Sequence, residues 1–482
     1  MPPGVASERS AGDATPGAGA RGRGPIGPTW LWLIALAAVL FAAGLGRLTL
    51  PSLDDCFYAR KGVEMARQGW SMTVTWDGAP TFQNPPLPFW LMGLAMRALG
   101  ESDVAARVPS LIAGLLTLWL IGLSAERRGG RLAAWTAVAL LLVTPEFGNA
   151  ARRAMVDISA SWWAMLGLLP LTWPRRPRWW AAALIVGIGG AVLSKSVVGL
   201  LPAVAVLMAW AISRPASRPS LPALAGVIGL GTAIGASWFV HQWLTIGPGA
   251  LSAHFGEQVY AQATVAKSLL DRASGVLRTL AFFLPVVVPG LVATVVLARD
   301  ASRRRDFQDS VLLAVVVMAV AAVTVSSAQS PRYVFVLYPV FALLGGEWCA
   351  RVAPRAAALC ARVVVPVLVA AVTVVFFIAP ARLSRDPNRV YVSSRAAIQT
   401  ALPAGRQVPY FGERYWTLAN PLLFYCERRL AWRDVDAVTF VASVKREGVG
   451  VVDADAWPKM AAGAGLSVRF STPGWVAVEP GR

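Results

Sequence analysis

The chain has 482 residues, of which 56% are hydrophobic and 15% charged, and its mean hydropathy is +0.55. A water-soluble protein cannot bury that much apolar surface, so the composition indicates a membrane protein and excludes extended disorder, a collagen and a small disulfide-stapled fold. In a soluble protein the net charge of +19 would suggest nucleic acid as a partner. Here the arginines mostly lie between apolar runs, which favours cytoplasmic loops and no nucleic-acid binding.

The amino-terminal end is polar and lacks apolar periodicity. Residues 1–28 are rich in Gly, Ala, Pro and Arg, and we expect a disordered cytoplasmic leader. The apolar run 30–46 follows. We interpret it as an uncleaved first span rather than a signal peptide, because the charged leader is long and the later topology needs this crossing.

Further apolar runs are each long enough to cross about 30 Å of hydrocarbon. With the first run they predict about eleven spans in a helical membrane domain over residues 29–382. The further runs lie near residues 107–124, 132–147, 158–173, 179–194, 197–213, 221–243, 276–297, 309–326, 333–350 and 360–380.

Alternate connections between the runs contain 14 arginines and no lysine. By the positive-inside rule they all face the cytoplasm. The opposite side, the periplasm or cell exterior, then receives an outer loop at 48–106 and the tail from about residue 383. The arginine-rich connections are 126–131, 174–178, 213–218, 299–306 and 351–355.

Three outer segments have recognisable patterns. Residues 54–68 carry a small-apolar stripe and predict an amphipathic helix along the membrane surface, with its charged residues elsewhere. Residues 75–90 are dense in proline and aromatics and suit a rigid piece at headgroup level. Residues 383–482 predict a small soluble α/β domain, because strand-like runs alternate with turn residues. Those runs are 435–444, 448–457 and 466–479.

Acidic residues at the ends of membrane spans are candidates for function. Asp54 and Asp55 follow the first span, and Asp157 begins the fourth. The predicted topology therefore places three carboxylates at the outer surface. Solvated loop acids, or a cap for the following helix, remain the alternative interpretation.

Basic residues also gather on that surface, against the positive-inside bias. A lipid-linked phosphate would explain them; pairing with the nearby acids or snorkelling to headgroups would explain them equally well. Acids beside bases at a bilayer surface suit sugar transfer, in which a base takes a proton from an acceptor hydroxyl and cations hold a phosphate leaving group. The bases are Lys61, Arg152, Arg153, Lys195, Lys267, Arg272 and Arg332.

Metal ligands are scarce in this sequence. Its four cysteines form no CxxC pair and its two histidines cannot build a His-rich site, so we expect no metal site and no cofactor, although a divalent cation is possible. His254 and Glu257 lie on an outer loop near the acceptor side, and we interpret them as part of a surface helix.

The stretch 53–90, with Asp-Asp opening a helix and Gln-Asn-Pro-Pro-Leu-Pro-Phe-Trp closing the segment, resembles the first outer loop of polyprenyl-phosphate-sugar-dependent glycosyltransferases. This GT-C class includes the bacterial aminoarabinose transferase of lipid A and the protein O-mannosyltransferases of glycosyltransferase family 39. The resemblance implies a GT-C fold of about 11–13 transmembrane helices with an extracytoplasmic α/β domain. It continues at 106–117, 152–160, 191–202, 326–339 and 420–428.

The resemblance also implies residue roles. Asp54 matches the catalytic acid of the family, Asp157 the second acid near the cavity and Lys195 a phosphate-binding lysine. Asp54 would act as the base or orient the acceptor, and Asp157 would support it. Tyr58, Arg332 and Tyr333 match the remaining site positions, and the bases would neutralise the polyprenyl phosphate.

Two positions depart from the family pattern. The Glu-Lys before the double proline is Gln83–Asn84 here, so Asn84 replaces a lysine expected to contact donor phosphate; Lys61, Lys267 or Arg272 would substitute. Some members bind a metal through Glu and His near this loop, but Gln83 and Lys61 occupy these positions, so we expect no zinc. The family's Asp-Glu pair is Asp54–Asp55, which keeps Asp55 in the expected catalytic set.

The sequence therefore predicts a monomeric glycosyltransferase of the bacterial cytoplasmic membrane. The resemblance implies that it would move a hexosyl or pentosyl group from a polyprenyl-phosphate donor to a lipid A-like lipid or to a protein at the outer face, with inversion at the anomeric carbon. A transporter or flippase of lipid-linked sugars is one alternative, although no inverted repeat appears. A catalytically silent relative that binds polyprenyl phosphate is the other. One outward cavity at the two acids would favour the enzyme.

Overall fold

The computed structural model describes residues 29–51, 53–256, 268–325, 331–379, 386–431 and 436–481. The predicted leader, Lys267 and Glu257 lie outside these ranges. Helices dominate the described chain up to residue 379. They are α1 Leu31–Ala42, α2 Leu53–Gln68, α3 Leu87–Leu99, α4 Asp103–Gly129, α5 Arg131–Leu142, α6 Pro145–Ala151, α7 Asp157–Leu168, α8 Trp180–Lys195, α9 Leu201–Ile212, α10 Leu221–Thr245, α11 Pro248–Phe255, α12 Leu269–Ala281, α13 Val287–Arg304, α14 Phe307–Val325, α15 Leu337–Val352, α16 Pro354–Leu359 and α17 Val365–Ile378.

Most predicted apolar runs coincide with these helices, and the helical polytopic fold is confirmed. Within the described ranges, five helical stretches are long and apolar enough to cross a bilayer, and the pair α5–α6 forms a sixth if its 74° bend lies within one span. The other runs occupy shorter helices. The five stretches are Asp103–Gly129, Trp180–Ile212, Leu221–Thr245, Phe307–Thr324 and Pro354–Ile378.

The stretch Trp180–Ile212 reverses direction between α8 and α9. A Cβ atom on Gly199 would lie 2.3 Å from the backbone of Ala191 and Val192. In a continuous helix residues eight apart are separated by about 12 Å, so the chain must fold back here. The two runs predicted at 179–194 and 197–213 are therefore two antiparallel segments, and Lys195 stands at the turn.

The arginine-rich connections meet at one end of the bundle. Arg128 lies between the ends of other helices and pairs with two carboxylates there. The bonds that join the connections run from Arg128 to Asp309 at 3.0 Å and to Glu347 at 2.6 Å, from Arg176 to the Ser217 carbonyl at 2.9 Å, and from the Arg214 amide to the Arg305 carbonyl at 2.9 Å. This clustering agrees with the alternation predicted from the arginines.

The outer loop 48–106 is more structured than its composition predicted. It contains α2, a hairpin and the apolar helix α3. The hairpin pairs strand β1, Val74–Trp76, with β2, Ala79–Thr81. Asp77 and Gly78 join the strands at φ values of 56° and 78°, which a two-residue type I′ turn requires. The Asp-Gly pair was the sequence signal for this turn.

The residues after 386 form short helices around small sheets. The run 435–444, predicted as strand-like, is instead a helix: Asp436 caps it by accepting from the Thr439 amide at 2.9 Å, and Phe440 and Val444 share its buried face. The elements are α18 Arg389–Ser393, α19 Arg395–Ala401, β3 Gln407–Val408, β4 Tyr410–Phe411, α20 Tyr415–Cys426, β5 Arg429–Leu430, α21 Ala437–Glu447, β6 Gly450–Asp453, α22 Trp457–Ala461, β7 Leu466–Ser471 and β8 Trp475–Pro480. Strands β4, β6, β8 and β7 make one sheet in that order.

This carboxy-terminal part packs directly on the start of α2. The Leu50 amide donates to the Tyr425 hydroxyl at 2.7 Å, and the Leu50 carbonyl accepts from Asn388 at 2.6 Å. The Tyr425 hydroxyl in turn donates to Asp103 at 2.8 Å. Helix α2 is therefore enclosed between α3 and α20, which buries its charged residues as well. Arg60, Lys61 and Glu64 are each less than a tenth exposed, against the expectation of an open polar face.

Candidate active site

Two adjacent acids begin α2, where carboxylates favour the positive end of the helix dipole. Successive side chains on a helix point about 100° apart, so Asp54 and Asp55 face different surroundings. Asp54 is 39% exposed, and its Oδ2 accepts a hydrogen bond from Arg332 Nη1 at 2.9 Å. Within the described part of the chain, its Oδ1 atom has no hydrogen-bond partner. Asp54 thus has one carboxylate oxygen bonded to Arg332 and keeps part of its side chain accessible to solvent.

The second acid of the site forms an ion pair across two helices. Asp157 is the first residue of α7 and Lys195 the last of α8, and these helices pack side by side in opposite directions. Lys195 Nζ pairs with Asp157 Oδ1, and it also donates to the Arg332 carbonyl at 3.2 Å. The carboxylates and bases form a continuous chain from Asp54 through Arg332 and Lys195 to Asp157.

A narrow cleft of about 40 Å³ lies beside this chain. Asp157, Lys195, Arg332 and Tyr333 line its polar side, and the Lys195 ammonium lies 5.0 Å from the Tyr333 ring centroid. The opposite wall is apolar and comes from helices α7, α9 and the segment before α15. Its residues include Ala160, Ala164, Leu201, Phe335 and Val336. This combination fits an amphiphile with an anionic head.

Two tyrosines stay protonated near the carboxylates. Burial, with the negative charges of Asp157 and Asp54, raises the pKa of Tyr58 well above its usual value. Burial and the same carboxylates also raise the pKa of Tyr333. Both phenols therefore remain hydrogen-bond donors at neutral pH.

Asp55 points away from the cleft. It is fully buried and accepts a bidentate pair of bonds from Arg153 Nε and Nη2, at 3.1 and 2.6 Å, and a third from the Ala154 amide at 2.9 Å. These bonds tie the first turn of α2 to the segment that leads to Asp157. We interpret Asp55 as a structural residue: its bonds brace the start of α2 against the segment before α7 and so fix the positions of Asp54 and Asp157. Asp55 itself would not contact the substrate.

Several predicted bases are not brought to the cleft. Arg152 donates to the main-chain carbonyls of Phe41 and Ala43 at 3.1 and 2.6 Å, at the carboxyl end of α1. Arg272 lies half-buried on α12 and donates to the Thr324 carbonyl at 2.9 Å. Asn84 lies half-buried before α3 and is not among the cleft-lining residues.

Lys61 is enclosed in an aromatic slot instead of facing the cleft. Its ammonium lies 3.9 Å from the Phe57 ring centroid and 5.3 Å from that of Phe89. The side chain is fully buried, and within the described ranges Nζ has no hydrogen-bond partner. Burial lowers the pKa of Lys61 well below its usual value.

We expect Lys61→Met to raise the free energy of unfolding at pH 7 by about 1–3 kcal/mol, because a buried unsatisfied polar group is removed. An unfolded lysine keeps its proton up to about pH 10.4. Between the lowered folded pKa of Lys61 and that pH, the unfolded state binds more protons, so wild-type stability rises with pH and the advantage of the variant shrinks. Thermal unfolding in detergent from pH 7 to 10 measures this.

The exposed Lys459, changed to methionine, is the matched control and should shift stability little at any pH. A fall in polyprenyl-phosphate affinity in Lys61→Met would show instead that this ammonium reaches the donor.

Two site residues were missed by sequence reasoning. His254, assigned to a surface helix, is 1% exposed, and its Nε2 lies 2.6 Å from Ser196 Oγ. Ser196 has a positive φ of 56°. Neither residue carries a local sequence signal, because a lone histidine and a lone serine match no motif.

Within the described ranges, no group of three or more His, Cys, Asp or Glu residues is placed to hold a metal ion.

Known proteins resemble this chain in sequence and in fold. Residues 83–238 match the family model of dolichyl-phosphate-mannose-protein mannosyltransferases. An uncharacterized protein from Aquifex aeolicus is 23% identical over 221 residues, which are 45% of this chain and 44% of that relative. The chain thus aligns with less than half the length of that relative.

Solved structures match over more of the chain. ArnT from Cupriavidus metallidurans, bound to undecaprenyl phosphate, superposes with a TM-score of 0.75 at 18% identity, covering 94% of this chain and 98% of ArnT. The oligosaccharyltransferase AglB from Archaeoglobus fulgidus, in complex with an inhibitory peptide and a dolichol-phosphate, gives 0.57 at 13% identity, covering 89% and 70%. The resemblance predicted from the outer loop is therefore confirmed: the chain has the GT-C fold of these membrane glycosyltransferases.

Proposed function

We propose that this protein transfers a sugar from a polyprenyl-phosphate donor to an acceptor hydroxyl at the outer face of a bacterial cytoplasmic membrane. The observation that carries the proposal is the unbroken chain from Asp54 through Arg332 and Lys195 to Asp157. Arg332, Lys195 and Asp157 line the half-apolar cleft, and Asp54 is joined to it through Arg332 without lining it. The site holds both a base open to an acceptor and cations for a phosphate. Conspicuous charges at helix ends favour a transferase over a transporter, whose site would lie at mid-membrane.

The reaction needs three groups in fixed places. The acceptor oxygen attacks the anomeric carbon as the bond from that carbon to the phosphate oxygen breaks, and the bond electrons leave with the phosphate. Asp54 Oδ1 takes the acceptor proton. Arg332 and Lys195 stabilise the negative charge that develops on the leaving phosphate. Attack from the side opposite the phosphate inverts the anomeric carbon.

The ion pairs with Asp54 and Asp157 use some of the hydrogen-bond donors that Arg332 and Lys195 offer to a phosphate. Arg332 donates to Asp54 through Nη1, and the planar fork of a guanidinium matches the geometry of phosphate oxygens. Lys195 has three donors and uses two within the site. A phosphate between them would be held by charge-assisted hydrogen bonds.

Similar proteins support the donor class. The ArnT and AglB structures contain undecaprenyl phosphate and a dolichol-phosphate respectively, and the matched family model is named for dolichyl-phosphate-mannose. We propose a polyprenyl phosphate carrying a hexose or pentose as the donor, a lipid A-like lipid as the preferred acceptor with protein as the alternative, and a monomeric enzyme.

The proposal is tested with protein purified in detergent. A polyprenyl-phosphate-sugar pool extracted from bacterial membranes is added with lipid A or a Ser/Thr-rich peptide, and released carrier phosphate and glycosylated product are measured. Equal amounts of both products support transfer. Binding of the carrier without turnover on either acceptor would indicate a silent relative. Movement of intact donor from one leaflet to the other, measured with the protein reconstituted in sealed vesicles, would indicate a flippase.

We expect Lys195→Ala to weaken binding of undecaprenyl phosphate by about 10–100-fold, because a charge-assisted hydrogen bond contributes about 1.5–3 kcal/mol. Lys195→Arg should retain most of the affinity, since it keeps the charge. Isothermal titration or native mass spectrometry in detergent measures the affinity.

Lys459→Ala, on the exposed surface of α22, is the control and should bind as the wild type does. Unchanged affinity in Lys195→Ala would remove this residue from the phosphate site.

A further inference from the structure

A buried histidine connects two separate parts of the candidate site. His254 lies near the end of α11. Its Nε2 is 2.6 Å from Ser196 Oγ, and its Nδ1 is hydrogen-bonded to the Phe82 carbonyl. Ser196 directly follows Lys195. Phe82 directly precedes the Gln83–Asn84 pair of the outer loop. One imidazole ring therefore joins the lysine turn to the outer loop.

The hydrogen-bonding capacity of the ring fits both partners. A carbonyl oxygen only accepts, so Nδ1 carries the hydrogen that bonds Phe82. In the neutral ring Nε2 then accepts from the Ser196 hydroxyl, and both nitrogens are satisfied. Three aromatic rings fix the orientation of the imidazole. Their centroids lie 5.2 Å (Trp238), 5.7 Å (Phe239) and 5.3 Å (Phe255) from that of His254.

The serine in this contact has an unusual backbone. Ser196 has φ 56° and ψ −140°, a conformation that residues with a Cβ rarely adopt. Such conformations persist only where the surroundings enforce them, and they cluster at functional sites. The turn at Ser196 reverses the chain after α8 and leaves Lys195 against Asp157. The bond between Ser196 and His254 anchors this turn, in addition to the bonds of Lys195 with Asp157 and with the Arg332 carbonyl.

We propose that His254 is a positioning residue, which fixes the Lys195 turn against the Phe82–Asn84 segment and so sets where the ammonium meets the donor phosphate. This inference rests on the proposed function, because the benefit of a fixed ammonium is a correctly placed phosphate. His254 does not line the cleft, so it acts through Lys195. The outer loop and the lysine turn would otherwise shift independently.

The test begins with His254→Phe, which keeps the ring packing and removes both hydrogen bonds. We expect faster amide hydrogen exchange in residues 79–86 and 193–200, with exchange elsewhere unchanged. For sugar transfer we expect kcat/KM to fall by roughly 100-fold, as displacement of a positioning group by about 1 Å can cause. The loss should appear mainly in the donor KM, and the acceptor KM should remain constant.

Conservative variants separate the two bonds. The amide of His254→Asn can reproduce the Nδ1 contact with Phe82, so it should restore slow exchange in residues 79–86 only. The amide of His254→Gln can reproduce the Nε2 contact with Ser196, so it should restore slow exchange in 193–200 and most of the donor affinity. His241→Phe, at the other histidine, is the control and should change neither segment.

These outcomes distinguish the inference from the proposed function. If His254→Phe leaves exchange in both segments and the donor KM unchanged, the positioning role is wrong while sugar transfer stands. If His254→Phe loosens both segments and weakens binding of undecaprenyl phosphate, but the wild type transfers sugar to neither acceptor, the positioning role stands and the transferase proposal fails. A uniform rise in exchange would mean a general packing role and would also overturn the inference.

Discussion

We expect Asp54→Asn to lower kcat for sugar transfer by about 10²–10⁴-fold, because general-base catalysis contributes a factor of that size. The asparagine keeps the size of the side chain and can still accept from Arg332, but it cannot take up the acceptor proton. The donor KM should therefore change only a few-fold. Steady-state assays with varied donor, and carrier binding measured separately, resolve the two parameters.

Glu101→Gln is the matched control for this variant. Glu101 is another acid of the segment 48–106, exposed in its ion pair with Arg67, and loss of such a pair costs little. Its kcat should equal that of the wild type. Should Asp54→Asn retain more than a tenth of the wild-type kcat, another group must accept the proton.

The second large effect concerns stability. Removing Arg153 leaves the fully buried Asp55 carboxylate without its counter-ion, and breaking a buried pair from one side costs about 3–5 kcal/mol. We expect Arg153→Ala to lower the free energy of unfolding by that amount, and Asp55→Ala to do the same. The double variant Asp55→Leu/Arg153→Met should be less destabilised than either single variant, because no buried charge remains.

Thermal unfolding of detergent-purified protein measures these differences. Arg67→Ala, which breaks exposed pairs with Glu101 and Glu427, is the control and should cost at most about 1 kcal/mol. If the Arg153→Ala protein is as stable as the wild type but inactive, the structural role of the Asp55–Arg153 pair is wrong. Asp55 would then have to act in catalysis.

Much of the site could be predicted from positions along the chain. Asp54, Asp157, Lys195 and Arg332 all stand at ends of apolar runs. Arginine-rich connections at alternate ends put those four positions on one side, because each span reverses the direction of the chain. The helix that begins with Asp54 also followed from a stripe of small apolar residues. These features depend on local patterns, which a single sequence contains.

Other features depend on long-range packing that leaves no local pattern. Lys61 and Asp55 read as exposed charges on an amphipathic helix, but α3 and α20 cover that helix from opposite sides. Arg153 and Arg152 are neighbours in sequence, yet one braces Asp55 and the other caps α1. The helix at 437–447 was mistaken for a strand because its valines and Phe440 favour strands. The cap at Asp436 and the spacing of Phe440 and Val444 on one buried face agree with the helix that forms.

The contact between Leu50 and the last hundred residues has a consequence for biosynthesis. The helix bearing Asp54 leaves the ribosome early, whereas Asn388 and Tyr425, which hold its first turn in place, are translated long afterwards. An unfinished or truncated chain would insert many of its spans without that support. We therefore expect the proposed transferase activity to appear only after residues 386–431 have been synthesised and have docked beside α2.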